Sequence, residues 1–236
     1  MPMNERKFID VDGITTCYYE QGEGPILVLF HGGNFGSNDA ADCALDWALN
    51  FDGLSKKYHV FAIDKIGQGY TANPKNDGDY TMAEVVRHAC ATLDALQIQN
   101  AHLAGHSRGG YLTCRMTMDR PDLVKTCTII DSNSCAPGIG LNEIVLANPP
   151  EPRLTVESQR WVLEHYSYGI GHVTNEWVDA LVEVGQQNSY RDACHKMASS
   201  GDGLRHTLFL PQLVKDKINM FAWIRDQGMD RPTQLI

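Results

Sequence analysis

Gly105-His106-Ser107-Arg108-Gly109-Gly110 lies where a short apolar strand, 101–104, gives way to a helical stretch, 109–120. A serine between glycines in that setting reads as a sharp strand-to-helix elbow. The turn forces the serine into a strained backbone region, and its neighbours must be small because strand and helix approach closely. The hydroxyl then stands above the sheet at a helix N-terminus, whose dipole favours developing negative charge. Ser107 is therefore the candidate nucleophile, aimed at a carbonyl carbon. The bland alternative is a glycine-rich turn in a plain α/β domain; the strand before, the helix after and glycine at both flanks together favour the elbow.

Upstream, residues 25–30 and 58–64 are apolar runs without alternation, as in strands covered on both faces of a parallel sheet. Between them 39–57 has helical spacing, with Leu45, Leu49 and Leu54 among polar residues. Residues 8–20 read as a hairpin around Asp12-Gly13. Thr81 opens a further helix with Glu84 three residues on as a capping box, and apolar residues recur from Val85 to Ile98. A strand at 124–130 ends at Asp131. Strand and helix in alternation predict an α/β fold: a mostly parallel sheet with helices on both faces.

The texture changes after Ser132. Residues 136–152 are rich in Pro, Gly and Asn and read as a linker, and helical stretches follow at 156–168, 175–187 and 190–199. A helical block at this place is expected to cap the carboxyl ends of the strands. Another amphipathic helix is expected at 213–225, and 232–236 begins an apolar strand. The expected organisation is a core over 1–135, a helical cap over 136–205, and a return to the core over 206–236.

Two more loops bear on chemistry. His31-Gly32-Gly33-Asn34 directly follows the strand 25–30. Acyl transfer needs two donors aimed at the tetrahedral oxyanion, and the expected pair is the backbone N–H groups of Gly33 and Arg108. His31 reads as a structural residue beneath the loop. Asp64-Lys65-Ile66-Gly67-Gln68-Gly69 follows the strand 58–64 and reads as scaffold, its glycines suiting positive φ; the Gly-Lys-Ser/Thr signature of a P-loop is absent.

In this order the three loops resemble the α/β-hydrolase superfamily over almost the whole chain. Within it, His31-Gly32-Gly33, residues 64–74, and Gly105 to Gly110 running into Asp131-Ser132-Asn133 resemble the meta-cleavage-product hydrolases. The resemblance implies hydrolysis of a carbon–carbon bond in a ring-opened aromatic compound of the 2-hydroxy-6-oxo-dienoate type, without a cofactor. Two features depart from it: His106 stands where that family usually carries Asn, and 175–187 contains no arginine to hold a substrate carboxylate, leaving Arg153, Arg160 and Arg191 as alternatives. The competing expectations are a carboxylesterase, a lactonase, a cofactor-free peroxidase-like relative, or a non-catalytic binding protein of the same fold.

The resemblance also implies an acid after the post-cap strand and a histidine after the final strand. The sequence ends at Ile236, before both, and the expectation is a fragment or truncated chain, poorly soluble and lacking esterase activity by itself. Asp131 is an alternative place for the acid, although a turn-forming role suits it equally. His165, His172, His195 and His206 fall in or near the cap and read as surface or cap residues, so no complete triad is expected.

Composition bounds the rest. With 236 residues, 43% hydrophobic and 21% charged, the chain can bury a sizeable core. Its net charge of −9 argues against nucleic acid as a partner. Seven cysteines without C-x-x-C pairs suggest neither a zinc framework nor a disulfide scaffold, so no metal is expected. The first ten residues have no apolar stretch of a signal peptide, and no run is long enough to span a bilayer. A cytoplasmic protein is expected, acting on a small molecule with no membrane partner, and as a homodimer if it oligomerises.

Overall fold

In the computed structural model, residue 3 and residues 5–136, 148–198 and 203–236 are described. Seven strands form one sheet: Lys7–Val11 (β1), Ile14–Gln21 (β2), Ile26–Phe30 (β3), His59–Ile63 (β4), Ala101–His106 (β5), Val124–Ile130 (β6) and Thr233–Leu235 (β7). Their order is β1-β2-β4-β3-β5-β6-β7, with β1 and β2 antiparallel at one edge and the other five parallel. Asp12 and Gly13 both take positive φ, 54° and 76°, which matches the hairpin twist that an Asp-Gly pair favours.

Alternation along the strands separates two apolar layers. Val28, Phe30 and Ile63 pack on the side carrying the helices Met82–Ala95 (α2) and Arg108–Asp119 (α3). Leu27, Leu29, Val60 and Ala62 pack on the opposite side with Phe51 of the helix Ala48–Ser55 (α1). Covering both faces is why these central strands contain no polar alternation. The α/β expectation of a mostly parallel sheet with helices on both faces holds.

Among the described residues the next α-helices after β6 are Val156–His165 (α4), Asn175–Gln186 (α5) and Asn188–Lys196 (α6). Thr155 and Thr174 cap the first two by accepting from the N–H groups of Ser158 and Trp177. Leu181, Val184, Tyr190 and Cys194 of this block pack on Ala41 and Cys43, in the chain that follows β3. The last helix, Leu210–Gln227 (α7), continues from a π-helical turn at Arg205–Phe209.

The structure differs from expectation at 39–57. Helix begins only at a 3-10 turn, Ala44–Trp47, running into α1. Residues before it give their hydrogen bonds to α4 instead. The Gln159 side chain accepts from the Ala41 N–H at 3.0 Å and donates to the Asp39 carbonyl at 3.0 Å. At α2 the capping box is half formed: Thr81 Oγ1 accepts from the Glu84 N–H, but the Glu84 carboxylate turns to Arg87. Most of the expected linker, 137–147, lies outside the described residues, as do Ser199 of the third expected cap helix and three of the first four residues. All seven cysteines are free thiols. Among the described residues no helix is long and apolar enough to cross a membrane.

Candidate active site

Ser107 links β5 to α3 with φ 53° and ψ −118°, a conformation that costs a non-glycine residue roughly 1–3 kcal/mol. Its surroundings hold it there. The Ser107 N–H donates to the Ile130 carbonyl at 2.9 Å, and its carbonyl accepts from Gly110 N–H at 2.9 Å and Ser132 Oγ at 2.6 Å. The flanking glycines are required by close approach. A Cβ on Gly105 would overlap the Gly109 carbonyl, and one on Gly109 would overlap the Phe30 carbonyl. Helix α3 therefore presses directly on β5 and β3.

The loop after β3 faces this elbow. A Cβ on Gly32 would come 3.1 Å from His106 Nδ1 and 3.4 Å from Ser107 Cβ. Gly33 takes φ 72°. Beneath the loop, fully buried His31 accepts from the Lys65 N–H at Nε2, 3.1 Å, so its proton resides on Nδ1 and is donated to the Gly32 carbonyl at 2.9 Å. Burial, with the nearby Lys65 charge, holds the imidazole neutral, well below the usual histidine range. Lys65 adds two more bonds: its Nζ donates to the carbonyls of Gly32 and Gly33, both at 2.8 Å. Burial lowers the Lys65 pKa to about 7, against the pull of Asp42, Asp46 and Asp64.

Asp64 organises the neighbouring turn. Its carboxylate accepts from the N–H groups of Ala44 at 2.6 Å and Tyr70 at 2.8 Å, and Gly69, at φ 57°, leaves room for it. Burial pushes the Asp64 carboxyl up to about 6.

A cavity of about 530 Å³ opens above these loops and beneath α4 and α5. Gly33, Ser107, Arg108 and Asp131, the residues singled out from sequence, all border it, as does His106. Val162, Leu163, Trp177 and Leu181 supply an apolar wall. Arg108 Nη1 donates to Ser134 Oγ at 2.5 Å. Asp131 is exposed, with φ 40°, and its N–H donates to the Ile236 carbonyl at 2.8 Å, past the end of β7. Burial lowers the His106 pKa, offset in part by Asp42 and Asp131.

Sequence reasoning missed Asp42, Asp46 and Arg205, which border the same cavity, and Lys65 below it. Desolvation raises the carboxyl pKa of both aspartates, Asp46 further, although Asp46 Oδ1 accepts from Trp177 Nε1 at 3.2 Å. The three arginines left open from sequence do not border the cavity and are already paired: Arg153 with Glu151 and with Asp39, which does border it, Arg160 with Asn175 and Glu164, Arg191 with Gln186. Among the described residues no histidine other than His106 borders the cavity. His165 stacks on Trp161 and bonds its carbonyl, and His172 bonds Ser167. Among the described residues no three metal-ligating side chains converge.

Residues 25–170 match the family described as alpha/beta hydrolase fold. A 2-hydroxymuconate semialdehyde hydrolase of Pseudomonas sp. is 30% identical over 186 residues, 78% of this chain and 61% of that protein. The dihydrolipoyllysine-residue acetyltransferase component of an acetoin cleaving system, from Cupriavidus necator, is 28% identical over 201 residues, 84% of this chain and 49% of that protein. The chain thus spans about half to three-fifths of the length of these relatives. A meta-cleavage product hydrolase from Pseudomonas fluorescens superposes with a TM-score of 0.72 at 22% identity, covering 97% of this chain and 78% of that one, a likeness of fold.

Proposed function

The chain belongs to the alpha/beta hydrolase fold family, and from that premise we propose that it is the part of a serine hydrolase that carries the nucleophile, Ser107. The observation that carries this reading is the strained Ser107 backbone at a cavity beneath α4 and α5, facing the Gly33 loop. Strain at a serine that could have been relieved by glycine is expected where the side chain itself is needed.

In this reading Ser107 Oγ attacks a carbonyl carbon, and the negative charge on oxygen is received by the Gly33 and Arg108 N–H groups. The proposed substrate is a ring-opened aromatic acid of the 2-hydroxy-6-oxo-dienoate type. The dienol is first ketonised, and attack by Ser107 or water then leads to scission of the carbon–carbon bond. The Pseudomonas relative supports that chemistry by name. The apolar wall suits the carbon chain, and Arg205 supplies a cation at the cavity for its carboxylate. Asp131 is proposed as the acid that orients a general base, since it borders the cavity at the end of β6. The same reading takes a small-molecule substrate and no cofactor, in a cytoplasmic protein.

A second reading, short-ester hydrolysis, is favoured by His106, whose ring borders the cavity beside Ser107. The full-length protein incubated with a ring-fission dienoate and with p-nitrophenyl acetate separates the two. Loss of the dienoate absorbance, abolished in Ser107→Ala, supports the first; turnover confined to the ester supports the second. A full-length protein that turns over neither, and leaves Ser107 unlabelled by a fluorophosphonate, is a binding protein on this fold.

A further inference from the structure

Lys65 lies two residues past the end of β4, is 3% exposed, and does not border the cavity. A cation there needs a reason, because burying an ammonium is costly unless its donors are satisfied. Among the described residues no carboxylate comes within ion-pair distance of its Nζ, although Asp42, Asp46 and Asp64 all act on it electrostatically. Its hydrogen bonds go instead to two consecutive backbone carbonyls, those of Gly32 and Gly33.

That choice of partners has a geometric consequence. In a trans peptide the C=O and N–H point in opposite directions. The Gly32 carbonyl shares its peptide plane with the Gly33 N–H, and the Gly33 carbonyl with the Asn34 N–H. A cation gripping both carbonyls from below therefore turns both N–H groups to the other side of the loop. Gly33 and Asn34 border the cavity on that side, with Ser107 across from them. Gly33 needs a fixed hand of this kind, since a glycine at φ 72° is free to take several alternatives. The grip also polarises the two peptides, which strengthens their N–H groups as donors.

We infer that Lys65 is a positioning residue that aims the Gly33 and Asn34 N–H groups at the oxyanion formed beside Ser107. The inference rests on the proposed serine chemistry and assigns a task within it to a residue outside the cavity. His31 assists at one carbonyl, that of Gly32, whereas Lys65 alone spans both.

The test uses the full-length protein and the variant Lys65→Met, which keeps the length of the stem and removes the donors. With p-nitrophenyl acetate, kcat is expected to fall at least tenfold with KM within about threefold, since removing an oxyanion donor outright costs 10²–10³ in kcat. Affinity for phenylboronic acid, which forms a tetrahedral adduct on serine, is expected to fall with kcat. A folded Lys65→Met with unchanged kcat, or with only KM raised, overturns the inference while leaving Ser107 as nucleophile.

A second arm needs neither turnover nor a variant. In the wild-type protein, amide shifts of Gly33 and Asn34 are followed with pH beside the Cε signal of Lys65. Asp42, Asp46, Asp64, Arg108 and His31 also face this region, so the midpoint is taken from the lysine's own carbon. Both amides moving with that midpoint support the grip, and amides indifferent to it overturn the inference. An inactive wild type with Ser107 unlabelled defeats the serine reading and leaves this second arm to judge the grip by itself.

Discussion

The two loops that meet at the cavity are held in shape by opposite means. At the elbow, geometry is set by close packing: Gly105 and Gly109 leave no room against backbone carbonyls, Gly110 leaves little against the Ser132 and Ile129 side chains, and Ser107 is locked by bonds to Ile130, Gly110 and Ser132. At the Gly33 loop, geometry is set by two buried side chains, His31 and Lys65, gripping the backbone from below. The first loop is rigid because its neighbours cannot move. The second is rigid only while a hydrogen-bond set survives, so it can be loosened chemically and by pH.

The largest effect should come from breaking the rigid side. In Gly109→Ala the added Cβ meets the Phe30 carbonyl and lies 2.6 Å from the His31 carbonyl oxygen. Neither can move without displacing β3, so overpacking should cost on the order of 3 kcal/mol. A urea unfolding midpoint checks this. A midpoint within experimental error of wild type would show that the elbow is less confined than its backbone contacts indicate.

Next comes pH, which should act on the gripped side through two buried groups. Asp64 has its folded pKa raised to about 6, so between the ordinary aspartate value and 6 the folded chain holds a proton that the unfolded chain has released. Its contribution therefore falls as pH rises through that window. Lys65 has its folded pKa lowered to about 7, so from there to the ordinary lysine value the unfolded chain holds the extra proton. Stability should rise with pH there, by at most about 1.4 kcal/mol per unit for one proton. Unfolding curves collected from pH 7 to 9 should show this rise in wild type and in Ser107→Ala, and lack it in Lys65→Met.

Gly33→Ala sharpens the contrast from the other side. Its Cβ would overlap the Asp42 carboxylate and come 2.8 Å from the Asp42 Cβ, so the carboxylate must turn and the loop carrying Asp42 must give slightly, and positive φ adds about 1–2 kcal/mol. The expected outcome is a smaller stability loss than Gly109→Ala with a slower fluorophosphonate reaction at Ser107. Equal losses at the two glycines would erase the distinction between the loops.

The elbow was legible in the sequence because backbone crowding leaves a local mark. Only glycine fits at 105 and 109, and strand and helix stand on either side. The gripped loop left half a mark. His31-Gly32-Gly33 announces a turn after a strand, but Lys65 lies 32 residues from Gly33, in a loop that reads only as scaffold, with no local pattern tying it to Gly33. Asp42, Asp46 and Arg205 went unread for the same reason: they are brought to one cavity by tertiary packing, with no spacing to betray them. The overextended helix at 39–57 has a comparable origin. The Leu45, Leu49 and Leu54 pattern is real, but Gln159, more than a hundred residues on, claims the backbone of Asp39 and Ala41.

The smallest effect is expected at Thr81, which separates ordinary local stabilisation from both loops. Thr81 Oγ1 accepts from the Glu84 N–H at 3.2 Å and so satisfies one orphan donor of α2. The return bond of a capping box is not made, because Glu84 pairs with Arg87 at 2.7 Å on the exposed side. Thr81→Ala should therefore cost about 1 kcal/mol, the usual loss of a single cap. Glu84→Ala should cost less, near the few tenths of a kcal/mol of an exposed i,i+3 pair. Neither side chain touches the cavity, so both variants should leave the fluorophosphonate rate at Ser107 unchanged. A Glu84→Ala loss as large as that of Thr81→Ala would mean the full box forms in solution. A slowed reaction in either would mean that α2, which packs on α3, helps hold the elbow as well.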